Sequence, residues 1–317
     1  MAGRRLLLQL IVLATLLPTS GATCSRFRRA DDALAPAAFL TPPTLDEIIY
    51  AVNANSGRVR ALQTDSASLS SQGYPSLRAS IAVEPPRRFR LRASFLGPEL
   101  DVGSNDDQFW FWAKSSPEPG VYFARYDQLQ SSSVQQLVPV EPAWLIEAFG
   151  LVHLEPGGQH EGPVARGDGM LEVRSRVGAM GQFVRTILID NKYGWVVQQQ
   201  VTDTAGRIVA AAKAGNHRFY PEAGASLPHH VEVHIPRAQL TFAIDVSQYS
   251  VNQLAGDPAQ LWGLPQMEGY NLLNLAESPL ADSAPWAPSP PTPLSPDASL
   301  PAQVGFQPQY RGYSARR

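Results

Sequence analysis

The sequence predicts a mainly β (α+β) protein built on one curved antiparallel sheet with helices on its concave side. Three observations carry this. From Arg60 to about Val251, apolar residues recur at every second position in short runs separated by turn residues, the pattern of half-buried antiparallel strands. Only two segments show helical spacing, one before the strand series and one interrupting it, which excludes repeated βαβ units. No repeat of solenoid length is visible.

Taken in order, residues 1–23 have the layout of a secretory signal: Arg4 and Arg5, the apolar run Leu6–Leu17, Pro18, then the small residues Ser20, Gly21 and Ala22. The run of 12 residues is shorter than the roughly 20 needed to span a bilayer. The chain has one cysteine, Cys24, directly behind the signal. An exported chain with one thiol forms no internal disulfide, and its position predicts acylation, with palmitate as a chain it would carry, as in bacterial lipoproteins cut just before a cysteine. Cleavage after Ala22, leaving a free soluble protein, is the alternative. Residues 24–43 then form the lipidated cysteine and a tether, whose Arg26, Arg28 and Arg29 either meet anionic headgroups or are simply solvated.

Thr44 and Glu47 have the spacing of a capping box, and Leu45, Ile48, Ile49 and Val52 follow at i, i+3, i+4 and i+7. Strands are expected at 77–83, 88–95, 100–102, 109–112, 121–123, 170–176, 183–190, 194–202, 207–214, 229–235 and 240–246. A short helix over 143–149 interrupts them, with Pro142 at its start and Gly150 beyond its end. Residues 277–317 hold nine of the chain's 28 prolines and no alternation, so disorder is expected there.

The net charge of −2 and a pI near 6.3 give no basic field for nucleic acid. No nucleophile elbow, zinc-protease helix or phosphate loop occurs. His230, Glu232 and His234 would share one face of a strand and could hold a metal, or could line its solvent face with Val231, Val233 and Ile235 inward; His229 precedes them. His153 and His160 read as solvated loop residues, and Arg166-Gly167-Asp168 as a turn. Arg88, Arg90 and Arg92 share a face that is either solvated or a rim able to meet phosphate or carboxylate groups. Phe109-Trp110-Phe111-Trp112 is apolar on both faces, which requires either a sheet covered on both sides or a sheet lining an apolar cavity.

The stretch Glu84-Pro85-Pro86-Arg87-Arg88-Phe89-Arg90-Leu91, followed by a strand, the Asn105-Asp106 turn and Phe109–Trp112, resembles the lipoprotein carriers LolA and LolB. Leu227–Val233, Leu240–Val246 and Val251-Asn252 resemble that family's closing strands, so the likeness runs from about Thr44 to Leu275. The resemblance implies a half-open β-barrel with a helical lid over residues 44–276. It would hold acyl chains or lipoproteins and have no catalytic activity and no cofactor. Phe89 matches the family's cavity aromatic, and Phe89, Leu91, Trp110 and Trp112 are the expected lipid-binding residues, with Phe109 and Phe111 turned the other way. The expected protein is a monomeric, outer-membrane-anchored lipoprotein facing the periplasm. The alternatives are a structural or regulatory envelope lipoprotein whose barrel is filled by its own side chains, and a metal-dependent hydrolase using the histidines.

Overall fold

The computed structural model describes residues 34–277, apart from 117, 130–133, 135–141, 179–180 and 239. The signal, Cys24, most of the tether and the proline-rich tail lie outside the described residues.

Helix α1 spans Leu45–Gly57. The capping box forms as the sequence predicts: Thr44 Oγ1 accepts from Glu47 N at 3.3 Å, and the Glu47 carboxylate accepts from Thr44 N at 2.7 Å. The Thr44 backbone N–H and then its hydroxyl, both bonded to the carboxylate, hold the Glu47 carboxyl below its ordinary value. Ile48, Ile49 and Val52 are buried. Removing the cap with Thr44→Ala should cost about 1 kcal/mol, read as a lower urea midpoint at unchanged m-value; an unmoved midpoint would show that tertiary contacts alone hold the helix end.

The first run of strands is β1 (Leu62–Ser70), β2 (Leu77–Glu84), β3 (Arg88–Ser94), β4 (Pro98–Ser104), β5 (Gln108–Ala113) and β6 (Gly120–Arg125). Helix α2 (Ala143–Ala148) follows, and ends where Gly150 turns the chain with φ of +84°, a left-handed conformation suited to glycine. The second run is β7 (His160–Ala165), β8 (Met170–Val177), β9 (Phe183–Asp190), β10 (Val196–Thr202) and β11 (Ile208–Gly215). After the small ribbon of β12 (Arg218–Tyr220) and β13 (Ala225–Leu227) come β14 (His230–Ile235), β15 (Leu240–Val246) and β16 (Ser250–Val251). A five-residue helix, α3 (Pro258–Trp262), and the short β17 (Asn271–Asn274) end the described chain.

Fifteen strands make one sheet in the order β17-β6-β5-β4-β3-β2-β1-β15-β14-β11-β10-β9-β8-β7, with β16 also paired to β1. All pairs are antiparallel except β17 with β6, which is parallel. The two meanders meet where β1 pairs β15. Among the described residues the end strands β17 and β7 do not pair with each other, so the curved sheet stays open, a half-barrel rather than a closed one. At one end, β17 is only four residues long. At the other, β7 carries Pro163 and a register shift between Glu161 and Val164.

The cross-strand register fixes the faces. Leu62, Val83, Phe89, Ser104 and Phe109 are successive partners across β1 to β5 and so share one face. Val173, Ile187, Gln199, Ala212 and Val233 do the same across β8, β9, β10, β11 and β14. Both helices the sequence predicts pack on this side: α2 enters the large cluster around Phe89, Leu91, Ile81 and Val231, and α1 packs on Val173, Ile187 and Ile189. Each such side chain, fully buried, contributes about 1.5–3 kcal/mol.

Candidate functional site

The concave face beneath α2 is the apolar surface that the sequence predicts. Phe89, Leu91 and Ala93 of β3 point into it, because alternate residues of a strand share a face. They do not meet open space. Trp144, Ile146 and Ala148 of α2, with Phe149 just after it, occupy the ground above them; the Phe89 and Phe149 rings lie 5.9 Å apart, and Phe89 is only 2% exposed. Four of the cover's residues are thus apolar side chains of the chain itself.

One expectation fails on register. Trp110 and Trp112 were expected beside Phe89 and Leu91, yet Phe89 pairs through Ser104 with Phe109, while Arg90 pairs through Gly103 with Trp110. The tryptophans therefore stand on the opposite, outer face, and Phe109 and Phe111 share the concave side with Phe89. The outer side of β5 is dry because the segment after α3 covers it: Leu264, Met267 and Tyr270 pack on Trp110, Trp112 and Val121. The sheet here is covered on both faces, the first of the two explanations for a doubly apolar strand.

That outer layer is organised by a buried charge. Asp101 on β4 accepts from Arg90 Nε at 3.2 Å, Arg90 Nη2 at 2.7 Å and Trp110 Nε1 at 3.0 Å. Arg90 Nη1 donates to the carbonyls of Gln260, Leu261 and Gly263 and so ties down the C-terminal end of α3. The Trp110 indole lies over Gly103, where a Cβ would come within 2.3 Å of the ring, so this position has room for glycine alone.

A second buried polar group faces inward. Arg185 of β9 reaches Glu147 of α2 at 2.8 Å and Gln199 Oε1 at 2.8 Å. Burial pushes the Glu147 carboxyl above its ordinary value, against the opposing pull of Arg185. Among the described residues three buried donors here, Trp144 Nε1, Arg185 Nε and Gln199 Nε2, have no hydrogen-bond partner. Trp144 lies one turn before Glu147 on α2, so the cover brings unsatisfied N–H groups to an otherwise apolar surface, where each costs on the order of 1–3 kcal/mol. An oxygen-bearing ligand would satisfy them. No sequence pattern marks Arg185, a single arginine in β9, or Gln199, the middle one of Gln198-Gln199-Gln200 in β10.

Helix α1, by contrast, is clamped. The Asn53 side chain takes both the N–H and the carbonyl of Leu154, and Asn55 does the same to Ser226. Ser56 bonds the Val152 carbonyl. Two asparagines mimic a strand's pairing, and the helix cannot leave without breaking all of it. Of the two helices over the concave face, only α2 has the makings of a movable cover.

The histidines do not converge. Val231, Val233 and Ile235 of β14 are buried, and His230, Glu232 and His234 lie on the outer face. His230 bonds Asp245 at 2.7 Å and Glu232 at 3.2 Å, whereas His234 turns to Thr241. Asp245 and then Glu232 raise the His230 pKa. His229 is buried, its Nδ1 against the Val246 carbonyl and its Nε2 against the Tyr220 hydroxyl. His160, expected in a solvated loop, begins β7 and bonds Ser175 and Glu155. Among the described residues no group of three or more His, Cys, Asp or Glu could hold a metal ion. Arg166-Gly167-Asp168 forms the turn from β7 to β8, closed by Arg166 N on the Met170 carbonyl.

No protein-family model and no curated protein matches the sequence. Solved structures similar to it include a DUF1329 family protein from Desulfovibrio piger, at 12% identity over 69% of this chain and 97% of that one, with a TM-score of 0.45. A protein named for outer-membrane lipoprotein sorting, from Vibrio parahaemolyticus, matches at 10% identity over 67% and 94%, TM-score 0.43. A LolA superfamily protein from Nitrosomonas europaea matches at 9% identity over 69% and 97%, TM-score 0.42. These are likenesses of fold and of nothing further.

Proposed function

We propose that this chain is a non-catalytic, exported lipoprotein, anchored through Cys24, that binds an acyl chain on the concave face of its sheet by exchanging it for α2. The observation that supports it is the nature of the cover. Six residues of helix are too few to hold themselves together, so α2 stays in place through its apolar contacts and the Glu147–Arg185 pair. Trp144, Ile146 and Phe149 at about 1.5–3 kcal/mol each are matched by roughly ten methylenes at ~0.8 kcal/mol apiece. The exchange is nearly balanced, which is what reversible carriage of a lipid or a lipoprotein requires. The Arg185 Nε and Gln199 Nε2 donors, which stay on the sheet when α2 leaves and have no partner among the described residues, suit the carboxylate or ester oxygen at the end of such a chain.

The packing of Phe89 on Phe149 favours a second reading, a regulatory or structural lipoprotein whose barrel is permanently filled. One experiment separates the two. The protein purified from membranes should carry acyl adducts by native mass spectrometry, and its N-terminal fragment should carry acyl mass on Cys24. In titrations with a fluorescent long-chain fatty acid, Glu147→Gln, which releases the pin on α2, should tighten binding several-fold. Absence of both adducts and fatty-acid binding would reject the carrier and leave the filled barrel.

A further inference from the structure

A groove of about 560 Å³ lies on the outer side of the sheet, between β2, β3 and β4 and the segment Pro265–Met267. It is separate from the concave face, and nothing in the acyl-chain reading uses it. We infer that it is a binding site for a phosphate group, held between Arg78 and Arg92.

The register places these two side chains together. Arg78 is opposite Ser94, and Ser80 is opposite Arg92, so the arginines are diagonal neighbours on one face, roughly 7–8 Å apart at the backbone. Both are exposed, and among the described residues neither has an ion pair or a side-chain hydrogen bond. The other two arginines of β3 are paired. Arg88 is engaged by Glu84 and Asp106, and Arg90 by Asp101. Asp101 is the direct cross-strand partner of Arg92, but its oxygens are already taken by Arg90 and Trp110. With that pair cancelled, the lining charges are Arg78 and Arg92 against Asp65 alone, a local excess of one positive charge on a chain of net charge −2.

Two like charges held side by side are unfavourable unless something negative joins them. Guanidinium groups bind phosphate oxygens through paired, charge-assisted hydrogen bonds, and two at this spacing can take one phosphate from two sides. The Ser80 and Ser94 hydroxyls lie between them as further donors. Pro265 and Met267 make the facing wall apolar, so the group attached to the phosphate has a dry surface to lie on. A phospholipid headgroup and a soluble compound both present such a phosphate, and the two sources are distinguishable.

The test uses the full chain carrying Cys24→Ser, so that no acyl anchor contributes. Its co-sedimentation is measured with vesicles of phosphatidylcholine alone and with added phosphatidylglycerol; inorganic phosphate is titrated separately, by shifts in the backbone resonances of β2 and β3. Binding to the phosphatidylglycerol vesicles that weakens with salt, and is displaced by inorganic phosphate, supports a headgroup site. Inorganic phosphate binding without vesicle binding supports a soluble phosphate compound. In either case Arg78→Gln with Arg92→Gln should weaken binding at least tenfold, and Asp65→Asn should strengthen it. Binding to neither probe, or binding unchanged in the double variant while its melting temperature stays that of the parent, overturns the site.

Discussion

Asp101→Ala should destabilise the protein by about 3–5 kcal/mol, the cost of leaving a buried charge without its partner. The Arg90 and Asp101 side chains are 8% and 2% exposed, and Asp101 also takes the Trp110 indole N–H. Its removal therefore leaves a guanidinium and an indole donor unsatisfied in one place. Because Arg90 also fixes the carbonyls at the end of α3, the loss should be felt first in residues 254–270. Limited proteolysis should cut there before the rest of the domain unfolds in urea. The double variant Arg90→Met, Asp101→Leu should recover much of the loss, since well-packed apolar residues can replace a buried pair. A single-variant cost under about 1 kcal/mol would mean that water reaches Arg90 in solution and that the pair contributes little.

Acid should destabilise the protein between about pH 6.5 and 4, chiefly through His217. This half-buried imidazole stacks on Trp195 at 4.7 Å, and Trp195 stacks on Tyr193 at 4.4 Å. Burial pushes its pKa down from 6.5 to about 4, with Asp190 opposing and His229 adding to the shift. The folded state thus rejects a proton that the unfolded chain accepts. Its contribution is intact above the unfolded value near 6.5, falls as pH drops, and is gone near pH 4, a total of roughly 3 kcal/mol at most. His230 and Glu147, whose folded pKa values are raised, act with the opposite sign and lose stability as pH rises. Comparing the wild type with His217→Phe, which keeps a ring in the stack, isolates the effect: urea midpoints at pH 7 and pH 4.5 should lie closer together in the variant. Equal separations in both proteins would assign the acid sensitivity elsewhere.

Much of the architecture is written in local patterns. The capping box at Thr44, the Gly150 stop and the alternating runs of β2, β3, β8 and β9 each follow from spacing alone, and each forms where it is read. The elements that escaped are those without a pattern of their own. β7 contains Gly162 and Pro163, which read as a turn, and pairs only because β8 lies beside it. β17 is four residues held by β6, and α3 is a single turn begun at Asp257. The faces were the harder matter. Alternation says that Phe109 and Trp110 point oppositely, but which of them shares a surface with Phe89 depends on the register through β4. That register is set by the hairpin at Asn105, where the side chain accepts from both Asp107 N and Gln108 N. Equally, nothing local announces that residues 264–270 return to cover Trp110, or that Arg185 finds Glu147 from 38 positions away.

A sheet left open has two free margins, and each could recruit a strand from another molecule. Here both are spoiled for that purpose. At β7 the margin lacks a donor at Pro163 and loses its straight run of partners at the bulge, while exposed Glu161 adds a charge that a copying strand would have to bury. At the opposite margin β17 offers only four residues, too short a template to hold a foreign strand. The half-barrel can therefore remain unclosed without the molecules zipping edge to edge into polymers.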